Sequence, residues 1–151
     1  MLSTLIFDRY AIASFLLWSK DRHNGNILID NKGHLIHIDF GFILEISPGG
    51  NLGFETAAFK FSREIAELVD PPSSGKFKSV HYRHFLELCV RGYLAVRQHI
   101  DSFMSLFALM AESGLPCFGR GRPLENLYAR FHPEMTEKQA ADFMVDLCKD
   151  A

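Results

Sequence analysis

Cysteine is scarce in this 151-residue chain: Cys89, Cys117 and Cys148 are odd in number and far apart. With no CxxC pair and no Cys/His ligand spacing, neither a zinc site nor a disulfide framework is expected, and a reducing, cytosolic compartment suits the thiols. Long hydrophobic runs are also missing. The longest, Tyr10 to Trp18, is interrupted by Ser14 and falls well short of the ~20 residues that span a bilayer. The N-terminal MLSTLIFDRY has no basic stretch, and Asp8 and Arg9 cut its apolar run, so a secretory signal is not expected. Positive charge is not in excess either. A formal net charge of −2 argues against a surface that coats nucleic acid, and no nucleic-acid partner is expected. No internal repeat or low-complexity tract breaks the chain into parts.

What is present is core material. The chain is 48% hydrophobic with fourteen phenylalanines, enough for one compact unit. Residues from about Leu5 to Trp18 read as a buried helix, with Ala11, Ile12, Phe15 and Leu16 at spacings of three and four. Two apolar stretches, Ile27–Ile29 and His34–Ile38, flank a turn at Asp30–Gly33 and read as a β-hairpin. In that register Ile29 faces His34 and Ile27 faces Ile36. A turn-rich loop then runs from Asp39 to about Phe59. Beyond it the pattern is helical: Ser62–Val69, ended by Pro71 and Pro72; Lys78–Ile100, with Phe85, Leu86, Cys89, Tyr93, Leu94 and Val96 inward; and a helix capped by Asp101 that runs to Glu112. Phe103, Met104, Phe107 and Met110 on that helix read as core. Pro123 suits the first turn of a helix through Phe131. Thr136 with Gln139 forms a capping box for the last helix. The expected fold class is an α-rich α+β lobe, a small hairpin followed by a helical bundle.

The chemistry lies between Asp21 and Gly41. Asn26 and Asp39 emerge at the open end of one hairpin, whose strands lie ~4.8 Å apart. An amide and a carboxylate there are the oxygen ligands that Mg²⁺ takes beside phosphate oxygens and water. Asp21 stands five residues before Asn26, with His23 between them. Kinase catalytic loops use this Asp-x-x-x-x-Asn offset, the carboxylate accepting a hydroxyl proton and the Asn holding metal. Asp39-Phe40-Gly41 supplies the matching metal-binding triplet.

The string DRHNGNILIDNKGHLIHIDFGF resembles the catalytic loop and metal motif of the phosphoinositide 3-/4-kinase superfamily. Lys20, SPGGNLGFE (47–55), LCVRGYLAVR (88–97), SGLPCF (113–118) and RFHPEMTEKQA (130–140) resemble type III phosphatidylinositol 4-kinases. SPGGNLGFE and SGLPCF lean toward the alpha form. The resemblance implies the C-terminal lobe of a protein-kinase-like fold, residues 1–151 forming part of a catalytic domain. It implies ATP and Mg²⁺ (or Mn²⁺) as cofactors, with Asn26 and Asp39 as metal ligands and Phe40 and Gly41 completing the nucleotide-side motif. Asp21 and His23 are candidates for activating the inositol hydroxyl, and Arg22 would brace the loop. Asp39 to about Lys60 would be the activation loop reading the lipid head group, through Glu45, Pro48, Gly49, Gly50, Asn51 and Lys60. The implied activity is phosphorylation of phosphatidylinositol at its 4-hydroxyl, on a peripheral protein of the cytoplasmic face. The plasma membrane fits an alpha-like chain, the Golgi a beta-like one.

Up to Lys60 the loop holds no Arg and no other Lys, but it holds Glu45 and Glu55. A head group already carrying phosphates would want several cations there, so unphosphorylated phosphatidylinositol suits it better. The PGGNLG stretch lacks the GxxxxGK[ST] pattern and reads as a flexible turn rather than a phosphate cradle. His37 reads as structural and His34 as exposed. His81, His84, His99 and His132 form no ligand or triad pattern, and Arg120 and Arg122 read as a solvated loop. A glycine-rich cover and a phosphate-pairing lysine belong to an N-terminal lobe, which is not found in the residues before Asp21, and the resemblance implies a further C-terminal helix, so the chain is expected to be truncated at both ends. Little activity is then expected of it alone. The competing readings are a non-catalytic lobe that binds a partner, and a phosphatidylinositol 3-kinase.

Overall fold

The computed structural model describes residues 4–31, 35–44, 57–69, 79–119 and 121–151. In chain order these hold α1 (Thr4–Leu17), a 3₁₀ turn (Asn24–Asn26), β1 (Ile27–Ile29), β2 (Leu35–His37), α2 (Arg63–Val69) and α3 (Val80–Arg97). Then follow α4 (Ile100–Met110), a 3₁₀ turn (Pro116–Phe118), α5 (Pro123–Arg130) and α6 (Glu137–Asp150). This is the expected α-rich lobe with one two-stranded antiparallel sheet.

The central element is α3. Tyr82, Phe85, Cys89 and Tyr93 recur every three or four residues along it and are all buried, one stripe of a 3.6-residue repeat. That stripe packs against α1 on one side and α6 on the other. From α1 come Phe7, Ala11, Ile12 and Leu16, and from α6 Ala140, Met144 and Cys148. The Ile12 side chain of α1 packs onto Gly92 of α3, where an added Cβ would stand 2.4 Å from Ile12 Cδ1. Rings fill the rest: Phe61 stacks on Phe85 at 5.3 Å, and Phe15 meets Tyr93 and Phe143 at 5.9 and 5.8 Å. All three cysteines are buried free thiols. Among the described residues no helix is long and apolar enough to cross a membrane.

The local signals explain the helix ends. Ser79 accepts from Tyr82 N and starts α3, Pro123 opens α5, and Thr136 with Gln139 forms the capping box of α6. The turn between α5 and α6 is clamped from α3. Tyr93 Oη donates to Arg130 O at 2.7 Å, and Arg97 donates to the carbonyls of Phe131, His132 and Met135.

Four expectations need correction. The hairpin pairs Ile27 with His37, Leu28 with Ile36 and Ile29 with Leu35, one residue away from the expected register. Five residues, not four, connect the strands, so every partner on β2 moves along by one. Asp101 does not cap α4. His99 takes the cap position, without a side-chain bond, and Asp101 lies in the first turn. The helix also ends at Met110 rather than Glu112, and it has no buried residue. Phe103, Met104 and Phe107 are partly buried against the core, but Met110 is an exposed hydrophobic. The reading of His34, the proline stop at Pro71 and Pro72, and Arg120 lie outside the described residues.

A candidate phosphoryl-transfer site at the hairpin base

The chain leaves α1 at Leu17 and turns back on itself. Lys20 N donates to Phe42 O at 2.9 Å and Leu44 N to Leu17 O at 2.6 Å. The segment before Asp21 is thereby tied to the segment after Asp39-Phe40-Gly41. Between these ties sits Arg22, 1% exposed. Its Nε donates to Lys20 O at 2.9 Å, its Nη1 to Ile38 O at 3.0 Å and its Nη2 to Asp39 O. The guanidinium also lies 5.4 Å from the centre of the Phe40 ring, within cation–π range. One side chain thus joins the loop to the end of β2 and to the backbone of Asp39.

Asn26 is buried and closes the same loop. Its Nδ2 donates to Asp21 O at 2.9 Å, its N to His23 O at 2.9 Å, and its O accepts from Ile38 N at 3.0 Å. With Nδ2 committed, Oδ1 is the atom left for a ligand. Asp39 is exposed, and its Oδ1 accepts from Gly41 N at 3.1 Å in a tight Asx turn. A Cβ at Gly41 would stand 3.2 Å from that oxygen. Because Ile38 bonds to Asn26, Asp39 is the next residue out from the pair. The hairpin base brings Asn26 and Asp39 to one end even in the corrected register.

His23 caps the 3₁₀ turn and is exposed, its Nδ1 accepting from Gly25 N at 3.0 Å. That bond places the proton of the neutral ring on Nε2. A side chain at Gly25 would collide with the ring, its Cβ 2.8 Å from His23 Cε1. Asp21 is half-buried with φ 62°, Asp39 has φ 57°, and Trp18 and Leu44 on either side are also left-handed at 47° and 60°. Non-glycine residues in this region are uncommon and gather at functional sites.

Lys60 turns back to the site, its Nζ donating to Asn24 Oδ1 at 2.7 Å. Glu45, Pro48, Gly49, Gly50 and Asn51 lie outside the described residues. The His37 ring lies tilted against Tyr10, centres 4.2 Å apart, and burial with the nearby Arg22 charge lowers its pKa to about 4, so the ring is neutral. Two neighbours of the site had no local sequence signal. Asn24 holds Lys60 across 36 residues, and Arg130 reaches Leu16 O across 114 at 3.1 Å while lying 4.3 Å from the Trp18 ring.

The donor set fits a hard cation. Among the described residues no three His, Cys, Asp or Glu side chains gather to hold a metal by themselves. One carboxylate and one amide oxygen are what Mg²⁺ uses when phosphates and water complete its shell.

The sequence profile of phosphatidylinositol 3- and 4-kinases matches residues 4–120. The chain is 58% identical over 142 residues to phosphatidylinositol 4-kinase alpha 2 of Arabidopsis thaliana, covering 94% of this chain and 27% of that protein. It is equally identical to the alpha 1 protein of that plant, of which it spans 7%. Identity to the beta 2 protein is 44% over 139 residues, 91% of this chain and 12% of that one. The chain therefore spans less than a third of the length of these relatives, and it stands nearer the alpha proteins than the beta.

Proposed function

Because the chain belongs to the phosphatidylinositol 3- and 4-kinase family, we propose that it carries the catalytic loop and metal motif for transfer of the ATP γ-phosphoryl group to the 4-hydroxyl of phosphatidylinositol. In this reading residues 1–151 form the C-lobe portion of a catalytic domain that acts at a membrane surface. The relatives' names give the 4-kinase chemistry. The observation that carries the site assignment is the Arg22 bridge, which fixes the backbone of Asp39 against the loop holding Asp21 and Asn26.

Asn26 Oδ1 and Asp39 would hold Mg²⁺, which when bound supplies charge neutralisation for the nucleotide phosphates. The chain's own residues do the rest. Asp21 accepts the proton of the inositol hydroxyl. His23, with Nδ1 occupied by the Gly25 N–H, presents Nε2–H as a donor to an oxygen of the transferring group. Acting as the base would require the ring to release Gly25 and change tautomer. Lys60 is the one cation between Asp39 and Lys60, and it sits on the catalytic loop through Asn24. A single cation suits a head group whose only charge is its phosphodiester, in keeping with unphosphorylated phosphatidylinositol.

Isothermal titration of the chain with Mg·ATP tests the site. We expect saturable binding that needs Mg²⁺ and disappears in Asp39→Asn and Asn26→Ala, with Glu87→Gln as an unaffected surface control. Binding that survives Asp39→Asn would overturn the assignment.

A further inference from the structure

The last four carbonyls of an α-helix have no partner within it. In α1 these belong to Ser14, Phe15, Leu16 and Leu17. Ser19 N donates to Ser14 O at 3.0 Å and Trp18 N to Phe15 O at 3.3 Å, the paired bonds of a Schellman closure. The other two carbonyls are served from far along the chain. Leu44 N donates to Leu17 O, and Arg130 Nη1, from the last residue of α5, donates to Leu16 O. Two distant segments thus hold the helix end from which the chain runs into Asp21. One follows Asp39-Phe40-Gly41, and the other is α5.

The left-handed residue of such a closure is usually glycine, because a Cβ is costly there. Here it is Trp18, with φ 47°, the one tryptophan of the sequence. Two cations engage its ring: Arg130 lies 4.3 Å and Lys20 Nζ 4.8 Å from its centre. Both residues are buried, which strengthens cation–π attraction. Arg130, Trp18, Phe15 and Leu44 line one cavity of about 410 Å³, so the left-handed residues on either side of the site meet α5 at one place. A guanidinium can hold the carbonyl and the ring together, because its donors spread over a plane. An ammonium is a single point and serves one of them.

We propose that Arg130 is a positioning residue for the candidate phosphoryl-transfer site, a role that presupposes phosphoryl transfer there. It acts through the backbone and not on the reacting atoms. By fixing Leu16 and Trp18 it sets where the chain leaves α1, and Leu17 passes that placement to Leu44. Asp21 and Asn26 on one side and Asp39 on the other are thereby held in place before Mg·ATP arrives.

Two variants of the chain separate this role from a purely structural one. Arg130→Lys keeps the charge but not the double hold. Trp18→Gly removes the ring while easing the left-handed backbone, so its melting temperature should stay near that of the unmodified chain. Calorimetry should show Mg·ATP bound about tenfold more weakly by both, the worth of one buried cation–π contact. Thr136→Ala opens the capping box of α6; it should lower the melting temperature and leave Mg·ATP affinity within about twofold. The lone tryptophan gives a second readout. In Arg130→Lys, acrylamide should quench Trp18 emission more strongly, and saturating Mg·ATP should reverse that increase, because binding and order at the helix end are then linked. Should Arg130→Lys fail to fold, Trp18→Gly decides alone. Unchanged affinity in either folded variant, an equal loss in Thr136→Ala, or quenching that Mg·ATP does not reverse would overturn the role of Arg130 and leave the site assignment standing. An unmodified chain that does not bind Mg·ATP, or binding that survives Asp39→Asn, would instead remove the site assignment and this role with it.

Discussion

Removing Arg22 should loosen the candidate site more than any other single truncation near it. The side chain is 1% exposed and donates to the carbonyls of Lys20, Ile38 and Asp39. Hydrogen bonds from a charged donor contribute about 1.5–3 kcal/mol each, so the three together amount to roughly 5–9 kcal/mol before offsets. Taking the guanidinium away also removes its desolvation penalty, several kcal/mol for a buried ion. Water entering the vacated space can serve some of the freed carbonyls. The net expectation for Arg22→Ala is a loss of about 3 kcal/mol, a fall of roughly 6–12 °C in Tm for a domain of this size. Arg22→Lys should recover about half or less, because an ammonium cannot span three carbonyls as the planar fork does. Urea unfolding followed by circular dichroism gives the stability. Amide exchange at Ile38, whose N–H bonds to Asn26 O, reports the local effect and should accelerate. A loss under about 1 kcal/mol together with unchanged protection at Ile38 would refute the bridging role.

Two further substitutions probe the frame behind the site. Tyr93→Phe removes the buried bond to Arg130 O, so a loss of about 1–2 kcal/mol is expected in denaturant titration. Thr136→Ala opens the capping box of α6 and should lower stability by about 1 kcal/mol, while Thr136→Ser should be nearly neutral; equal effects of the two would contradict a capping role.

The helices were legible in the sequence because their causes are local. Apolar residues at three- and four-residue spacing mark α1 and α3, and Pro123 and Thr136 mark the starts of α5 and α6. The hairpin was legible in place but not in register. Leu28, Ile29 and Ile36 are exposed, so burial gives no reason to prefer one pairing over its neighbour, and the loop length decided it. The cap of α4 failed for a related reason. The chain passes from α3 to α4 with only Gln98 and His99 between them, which puts Asp101 already inside the helix. In the site, the motif spacing indicated which residues matter, but not what holds them. Arg22 reaches Asp39 over 17 residues and Lys60 reaches Asn24 over 36, and no spacing rule connects such pairs.

That difference bears on how the site keeps its shape. The strands that carry Asn26 and Asp39 to one end are three residues each and expose much of their apolar surface, so the hairpin cannot supply rigidity by burial. Asp21 and Asp39, with Trp18 and Leu44 flanking them, sit in left-handed backbone, each costing on the order of 1 kcal/mol or more for residues with a Cβ. Such a path relaxes unless something stronger opposes it. The opposition comes from the end of α1, a helix seated in the core. Leu17 O and Lys20 N hold the stretch after Gly41, and Arg22 holds the end of β2. The divalent cation proposed for this site would need its two protein oxygens at a fixed separation before it arrives, since ordering them at the moment of binding would weaken affinity. The α1–α3 core therefore acts at the proposed site through the Leu17 carbonyl, the Lys20 amide and one arginine, and a lesion in that core near Leu16 should weaken Mg²⁺ binding in calorimetry before circular dichroism shows the chain unfolding.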